Sequence, residues 1–588
     1  MLLYLCFFSL SCLTSATAAF DQKVLGQTYP FPENLGSAHA VRTASSYISH
    51  ELQNALDTGL SKFGNITAKT NSLSATMISA QDSQPFLDFH YSAANLNVSG
   101  GSTNRVTGNS VYRIGSISKL FTVYSLLLHG GEKIWDMPVT NYLPELRKAV
   151  SQTGANSAIH HVQWDKVTIG ALASQLAGIG RDVNNADMAS QPFPHQAAGL
   201  PELSLDEIPT CAGNNTQPPC TRREFFDVLL KRRPVSLPFN TPTYSNAAYR
   251  LLGYVVEAVT GTSYTEAVAK SVFQPLGLQN TSTSSPRGTG VGVIPPGNSG
   301  WGRPLGDEVS TGGLYSTSRD LAQFGRALLN HRQLSPLQTR RWMKPHAHTA
   351  SPFFSVGAPW EIWRTRSQIS SGYTIDLYTK SGSDDQYQAL LILVPDYNIV
   401  ASFLCAGPNA GPAINMAAEV ALQSILPVLD RVSQSQAVHR FGGRYVSSDA
   451  KNSSLLLTTD HQGPGLLVKE WLSNGVNVQE AAQAYSDGTG GGTIKSIRLY
   501  PFITNTEDAS STGSSGTQVS FRAILETEPV NYDPGVLRIL NADAGQWGRI
   551  DQLMYGEIAV DDFIFQLDGH GIATAVQPRV MRDTLKRV

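Results

Sequence analysis

The first part of the chain alternates between helical and strand-like patterns. Residues 43–63 carry apolar side chains at helical spacing, which predicts an amphipathic helix with one face packed on a sheet. The segments SLSATMISA and FLDFHYSA follow on either side of a turn-forming QDSQP stretch and predict a β-hairpin. From Ser116 to His129 apolar residues lie nearly all round the helix, so a central, buried helix is expected there.

The middle of the chain, residues 135–290, has a mainly helical pattern with long polar connections. Within it, residues 182–222 predict an insertion rather than core. Strand patterns return over residues 353–405, where QYQALLILV and NIVASFLC flank a Pro-Asp-Tyr turn. This order predicts an α+β fold, in which an antiparallel sheet assembled from both ends of the domain is flanked by helices and receives an all-helical insertion.

Beyond residue 430 the pattern changes to short alternating segments broken by loops rich in Gly, Ser and Thr. Such spacing is typical of a small all-β barrel or sandwich. We therefore predict an α+β domain over residues 19–430 and a β-rich domain over residues 431–588. The predicted strands are LLLTTD, GLLVKEW, IKSIRLY, VSFRAIL and DFIFQLD.

The N-terminal residues resemble a secretory leader. A short apolar run precedes small residues at Ala16-Thr17-Ala18, as in a signal peptide cleaved near residue 18, and the run is too short to span a bilayer comfortably. An N-terminal anchor or a buried strand is the alternative, because no Lys or Arg precedes the run. We expect a secreted protein without a membrane span.

The cysteines and the sequons fit that expectation. Cys211 and Cys220 flank a short polar loop and predict a disulfide in an oxidising compartment, whereas Cys405 ends an apolar strand and predicts a buried, inert thiol. Asn-x-Ser/Thr sequons predict a glycoprotein. They begin at Asn65, Asn97, Asn214, Asn280 and Asn452.

Charge and metal-binding patterns exclude several classes of function. The 44 basic and 46 acidic residues nearly cancel to a formal net charge of −2, so the chain offers no strong field for a nucleic acid. No CxxC pair and no Cys/His cluster with zinc spacing occurs in the sequence. We therefore predict neither a metal nor a cofactor, and a small molecule as the partner; the oligomeric state is left open.

The segment SISK carries the first candidate chemistry. Ser116 and Lys119 are one helical turn apart, so the lysine amine can lie beside the serine hydroxyl and act as its base. Ser116 also stands at the expected N-terminus of the central helix, where partial positive charge stabilises an oxyanion. The spacing alone is weak, because Ser448 and Lys451 repeat it. A capping serine with a solvated lysine is the structural alternative.

Two later motifs add specificity. Tyr244-Ser245-Asn246 lies where a loop leads into an amphipathic helix; a phenol near lysines can relay a proton, and the Asn amide can hold a substrate carbonyl. Lys380-Ser381-Gly382-Ser383 is predicted on a strand that continues as DDQYQALLILV, where the cation can orient a substrate and Gly382 lets the backbone approach it closely. Alternatively, Tyr244 is a core aromatic and Lys380 a solvated strand residue.

In the order SISK, YSN and KSG, these motifs resemble the serine β-lactamase and penicillin-binding protein superfamily, most closely its class C branch with related esterases. The resemblance covers about residues 40–410. It implies that Ser116 is acylated, that Lys119 is its base and that Tyr244 is a general acid or base. It further implies substrate-binding roles for Asn246 and for residues 380–383, with the N–H groups of Ser116 and Ser383 as the oxyanion hole. The KSG motif departs from the family, because Ser381 stands where Thr or His is commoner.

The leading functional hypothesis is therefore a secreted serine hydrolase that cleaves an ester, a lactone or an amide, the β-lactam ring included, through an acyl-enzyme. Fold does not fix substrate. A transesterase or acyltransferase of natural-product biosynthesis is one alternative. A non-catalytic binding protein that retains the fold, with the C-terminal module as its ligand site, is another.

Overall fold

The structure is a computed structural model that divides into two compact units. Of the residues that the structure describes, those within 31–365 and 375–433 form the first unit, and those within 26–30, 366–374 and 434–588 form the second. The predicted leader, residues 1–18, lies outside the described residues, and so does Asn214. The structure describes residues 26–153, 158–185, 187–213, 217–366, 373–448, 451–489, 492–503, 517–527 and 547–588.

The strands before residue 410 form the sheets of the first unit. They are β1 (Ser72–Ser79), β2 (Leu87–Tyr91), β3 (Tyr112–Arg113), β4 (Tyr315–Ser316), β5 (Ala347–His348), β6 (Phe354–Val356), β7 (Glu361–Arg366), β8 (Thr374–Asp384), β9 (Tyr387–Val394) and β10 (Ile399–Ala406). The helices up to that point, with the long helix that follows, are α1 (His39–Thr58), α2 (Ser118–His129), α3 (Pro144–Thr153), α4 (Ile169–Ala173), α5 (Arg222–Leu229), α6 (Asn246–Thr260), α7 (Tyr264–Val268), α8 (Gln274–Leu276), α9 (Val309–Gly312), α10 (Ser318–Leu329), α11 (Pro336–Trp342) and α12 (Ala410–Phe441).

Among the described residues, the main sheet has eight antiparallel strands in the order β2-β1-β10-β9-β8-β7-β6-β5. Strand β1, from the start of the domain, pairs with β10 from its end, with Ser72 opposite Ala406. The predicted hairpin is present, since β1 also pairs with β2 and Leu73 lies opposite Tyr91. The sheet is thus assembled from both ends of the domain, as predicted. Helices α2 to α11 lie between β2 and β10 in the sequence.

Helix α2 is the centre of the apolar core, as its pattern predicts. Every residue from Ser118 to Leu127 is buried. The ring of Phe121 stacks on Phe324 with centroids 4.3 Å apart and meets Phe273 edge-on at 5.7 Å. The helix begins two residues later than expected, because Ser116 lies in a single 3₁₀ turn, Gly115–Ile117, that precedes α2.

The KSG strand ends earlier than the sequence indicates. Strand β8 stops at Asp384, and the following chain turns through Asp385, whose φ of +47° lies in the left-handed region, before β9 begins at Tyr387. The predicted continuous strand is therefore wrong: KSGS and QYQALLILV are the two arms of an antiparallel hairpin, with Ser383 opposite Gln388. Two adjacent aspartates and a Gln allow the tight turn that an apolar pattern alone does not reveal.

The second unit contains a closed antiparallel barrel. The strands of this unit are β11 (Gly443–Val446), β12 (Ser454–Thr458), β13 (Leu466–Ser473), β14 (Val476–Asn477), β15 (Ile494–Ile503), β16 (Thr517–Thr527), β17 (Met554–Tyr555), β18 (Ile558–Ala559), β19 (Asp562–Leu567), β20 (Ala573–Pro578) and β21 (Leu585–Arg587). The barrel strands follow the order β12-β11-β21-β20-β19-β16-β15-β13, and β13 pairs back to β12 to close the ring. All five predicted C-terminal strands are present, although the unit also contains a helix, α13 (Val478–Gly488).

Helix α12 bears on the expectation that the chain has no membrane span. Within the described ranges α12 is the one helix long and apolar enough to cross a membrane, but 56% of its apolar window is buried inside the protein, as in a core helix.

Cys211 and Cys220 form the predicted disulfide. Cys405 is a free, buried thiol in β10, and burial raises its pKa well above the usual range, so it is poorly reactive.

Candidate active site

The structure brings Ser116, Lys119 and Tyr244 together around one oxygen atom. Lys119 Nζ lies 2.9 Å from Ser116 Oγ, and the Tyr244 hydroxyl donates a hydrogen bond to the same oxygen at 2.7 Å. Ser116 is half-buried in its 3₁₀ turn, and Lys119 is fully buried in the first turn of α2. The predicted i, i+3 relationship therefore places an amine beside the candidate nucleophile, and a phenol approaches it from 128 residues away in the sequence.

Lys119 is buried and surrounded by polar partners. Besides Ser116, its Nζ donates to Asn246 Oδ1 and to the Thr311 carbonyl, both at 2.8 Å. Burial lowers the pKa of the Lys119 amine, and the positive charge of Lys380 lowers it further, against the opposing effect of Tyr244. The lowered pKa makes Lys119 suitable as a base for Ser116.

The ring of Tyr244 is surrounded by cations. Lys119 Nζ lies 5.1 Å from its centroid, Lys380 Nζ 5.4 Å, and the guanidinium carbon of Arg181 4.9 Å. Burial alone raises the pKa of Tyr244, but the charges of Lys119 and Lys380 outweigh burial and lower the pKa of the phenol to about 8. A phenol in this range can exchange a proton with Ser116 near neutral pH.

Asn246 opens helix α6, and Ser245 caps that helix by accepting from the Ala248 N–H. The two ends of the Asn246 amide have different partners. Its oxygen accepts from Lys119, while its nitrogen donates to Asp182 Oδ1 at 2.6 Å. Because a carboxylate only accepts, Asp182 determines which end of the amide faces the lysine. One amide hydrogen is left for the predicted contact to a substrate carbonyl.

Lys380 lies on β8 and pairs with Glu361 at the start of β7. Its Nζ donates to Glu361 Oε1 and, at 2.8 Å, to the Ser381 carbonyl, while the Ser381 N–H donates to Glu361 Oε2 at 2.8 Å. Burial lowers the pKa of Lys380, but the negative charge of Glu361 outweighs it and raises that pKa, so the amine stays charged. The alternative of a solvated strand lysine is wrong, since only 1% of Lys380 is exposed.

Gly382 and Gly115 allow two backbone segments to approach each other at Ser116. A Cβ on Gly382 would lie 2.0 Å from the Ile114 carbonyl oxygen and 3.0 Å from the Ser116 nitrogen, and a Cβ on Gly115 would lie 2.6 Å from the Ser383 nitrogen. Neither position accepts a larger residue. The close approach places the N–H groups of Ser116 and Ser383 in the same small region, as an oxyanion hole requires.

Behind Ser383, buried charges fix the end of β8. Asp384 pairs with the guanidinium of Arg113 at 2.7 Å and also with Arg303, and the Arg113 side chain is only 1% exposed. Charges that leave water in this way persist only when they are paired. The ion pair therefore ties β8 to β3 and supports the backbone on which Ser383 lies.

The described site contains three groups that the sequence reasoning did not identify. They are the Asp182 carboxylate, the Glu361 carboxylate and the Thr311 carbonyl. No motif marks them, because each contacts the site through tertiary structure: Glu361 lies 19 residues before Lys380, and Asp182 lies 64 residues before Asn246.

Two family models match parts of this chain. Residues 74–424 match the family model described as "Beta-lactamase", and residues 433–588 match one described as "Beta-lactamase-like-like, C-terminal domain". The chain belongs to the β-lactamase family, whose fold its first unit has and whose members include hydrolases.

Three fungal relatives align along most of the chain. A "Beta-lactamase-like protein" of Arthroderma benhamiae is 28% identical over 92% of this chain and 92% of its own length. A "Probable hydrolase" of Phoma sp. is 26% identical over 82% of this chain and 78% of its own length. Another "Probable hydrolase", of Cochliobolus lunatus, is 25% identical over 79% of this chain and 76% of its own length. Together with the family match, these relatives show a β-lactamase-like hydrolase family.

Proposed function

We propose that the protein is a secreted serine hydrolase that cleaves an ester, lactone or amide bond through an acyl-enzyme on Ser116. The observation that carries this proposal is the meeting of Lys119 and Tyr244 at Ser116 Oγ, at 2.9 and 2.7 Å. A serine hydroxyl is a weak nucleophile until a neighbouring base removes its proton. An amine with a lowered pKa, held at hydrogen-bond distance, is such a base.

The partners of Lys119 support its role as that base. Asn246 Oδ1 and the Thr311 carbonyl are both acceptors, so each takes one N–H of the lysine. A neutral amine has two hydrogens and one lone pair. With both hydrogens used, the lone pair is directed to the proton of Ser116.

Acylation then proceeds with the proton moving to Lys119. Ser116 Oγ attacks the substrate carbonyl carbon, and the carbonyl π electrons move to its oxygen, which the N–H groups of Ser116 and Ser383 stabilise. Collapse of this intermediate breaks the bond to the leaving group, which takes a proton from Tyr244. In deacylation, water attacks the acyl carbon and gives a proton to the Tyr244 phenolate; the bond to Ser116 Oγ then breaks, and this oxygen regains its proton from Lys119 as the acid is released.

Turnover of a small panel of substrates tests this function. The panel contains an aryl ester, a lactone, an anilide and a β-lactam, each assayed with wild-type protein and with Ser116→Ala. We expect hydrolysis of at least one member that falls to the uncatalysed rate in the variant. Added alcohol or amine acceptors would separate hydrolysis from acyl transfer by the ratio of the two products. Equal turnover by both proteins would contradict the proposal.

Secretion and glycosylation belong to the same proposal. The side chains of Asn65 and Asn452 are exposed, those of Asn97 and Asn280 are half-buried, and Asn97 Oδ1 accepts from the Gly100 N–H at 3.0 Å. Glycans are therefore expected first at Asn65 and Asn452. Intact mass of protein recovered from the culture medium, before and after enzymatic deglycosylation, tests both points; protein retained in the cell without glycans would contradict them.

A further inference from the structure

An apolar ledge lies on the loop that leads to Tyr244. We define the ledge as Val235, Leu237 and Phe239, whose side chains are 59%, 51% and 57% exposed. Large apolar side chains in such a cluster on a surface mark a binding surface more often than single exposed ones do. Phe239 is five residues before Tyr244, so their Cα atoms are at most about 18 Å apart.

The backbone of the ledge is held against the segment that carries Arg181 and Asp182. The N–H groups of Val235 and Phe239 donate to the carbonyls of Gly178 at 2.8 Å and Leu176 at 2.7 Å. Further along the same two segments, the Asn246 N–H donates to the Arg181 carbonyl at 2.7 Å. The ledge and the site are therefore parts of one hydrogen-bonded pair of chain segments.

Phe239 is held in a strained conformation. Its φ is +64°, in the left-handed region, which a bulky aromatic residue rarely adopts. Such strain persists where surrounding contacts impose it, and it clusters at binding and catalytic sites. Since the Phe239 ring is more than half exposed, packing in the core does not explain why an aromatic residue stands there.

The insertion, which begins at Asp182, contains a second apolar surface. Arg232, three residues before Val235, donates to the carbonyl of Asp182, where the insertion starts. A hollow of 860 Å³ follows within the insertion, a volume suited to a small molecule. Its exposed apolar lining residues are Met188, Leu200, Leu203 and Leu205. Exposed apolar side chains thus lie on two segments: the ledge, whose backbone is hydrogen-bonded to Leu176 and Gly178, and the insertion that follows Asp182.

We propose that the ledge binds the apolar part of the substrate, so that the protein prefers substrates with an aliphatic or aromatic tail next to the cleaved bond. This inference rests on the proposed hydrolase function and specifies its substrate class. The continuity of the ledge with the Tyr244 segment favours a substrate over a partner protein as the occupant. Burial of each methylene can raise kcat/KM by up to about fourfold.

A chain-length series tests the proposal. We would compare p-nitrophenyl acetate, butyrate and octanoate with wild-type protein, Phe239→Asn and Leu337→Asn. Asn accepts a positive φ, so Phe239→Asn removes the ring without a folding penalty. Leu337 on α11 is 60% exposed and serves as the matched control. We expect octanoate to exceed acetate by about tenfold or more in kcat/KM, and Phe239→Asn to remove most of that preference while acetate turnover stays unchanged.

The same variants separate this inference from the proposed function. Binding of N-methyloctanamide, which carries the same acyl chain as the octanoate ester, to Ser116→Ala protein is measured by calorimetry; it requires no turnover and should weaken when Phe239→Asn is added. If no ester is cleaved in a Ser116-dependent way, the proposed function fails, and this binding experiment alone decides on the ledge. Equal kcat/KM for acetate and octanoate would overturn the inference. A change of oligomeric state in Phe239→Asn with the chain-length preference intact would also overturn it, because it would assign the ledge to a second copy of the chain.

Discussion

Asp182 accepts a hydrogen bond from the Asn246 amide nitrogen at 2.6 Å, and this contact determines that the amide oxygen faces Lys119. The lysine therefore meets an acceptor rather than a donor. With Thr311 as the second acceptor, a neutral Lys119 has one lone pair left for Ser116. The hydrogen bonding of the proposed base, Lys119, thus depends on a carboxylate that does not contact Ser116.

Replacing Asp182 with Asn tests this dependence. An amide at position 182 can accept or donate, so the Asn246 amide can turn and present its nitrogen to Lys119. We expect the acylation rate to fall roughly tenfold or more, as for the loss of a hydrogen bond to a charged group. The measurement is the second-order rate constant for fluorophosphonate labelling. Asp227→Asn, at an exposed carboxylate on α5, is the control; equal rates in both variants would show that Asp182 does not act through Asn246.

The pH dependence of acylation should reflect the Lys119–Tyr244 pair. With both groups protonated no base is present, so the labelling rate must rise as the pair loses one proton, with the midpoint at or below the pKa of about 8 that the lysines give Tyr244. Lys380 lowers the pKa of both groups. Its replacement by Gln should therefore move the rising limb to higher pH by roughly one unit. An unchanged limb, or a shift to lower pH, would contradict this electrostatic account. Exposed Lys133→Gln is the matched control.

Gly382 should tolerate no side chain. A Cβ would meet the Ile114 carbonyl oxygen at 2.0 Å, so Gly382→Ala must push β8 away from the Ser116 turn and open the oxyanion hole. Removal of one oxyanion donor typically costs about 10²–10³ in rate, and we expect a loss of this order. Gly411→Ala, whose Cβ meets nothing within 4 Å, should behave like wild type. Thermal unfolding of the two variants would show whether the effect is on stability or on the site alone.

Arg113 should contribute more to stability than an exposed arginine does. It is 1% exposed and paired with Asp384, so Arg113→Met breaks this buried pair and leaves the Asp384 carboxylate with Arg303 alone. Breaking a buried pair in this way costs about 3–5 kcal/mol, whereas an exposed pair contributes about 0–1 kcal/mol. The free energy of unfolding from denaturant titration should separate Arg113→Met from Arg223→Ala, whose side chain is 91% exposed. Equal values would mean that the buried pair does not support β8.

Contacts between residues close in the sequence could be predicted from it, whereas the carboxylates that position the site residues through tertiary contacts could not. The Ser116–Lys119 contact follows from helical geometry over three residues, and the hairpin of β1 and β2 follows from alternation around a turn. Glu361 and Asp182 contact the site only after strands β7 and β8 pair and the insertion folds back, so neither periodicity nor motif spacing marks them. The turn at Asp385 is also absent from the predicted pattern, in which KSGS continues into DDQYQALLILV as one strand.

The most direct test of the account is covalent labelling followed by intact mass. Wild-type protein, Ser116→Ala and Ser448→Ala are incubated with a fluorophosphonate and, separately, with a β-lactam. Ser448 begins the second S-x-x-K segment and is exposed, so it is the matched control. We predict one fluorophosphonate adduct on wild type and on Ser448→Ala, and none on folded Ser116→Ala. An adduct that survives in Ser116→Ala, or none on wild type, would contradict the assignment of Ser116 as the acylated nucleophile.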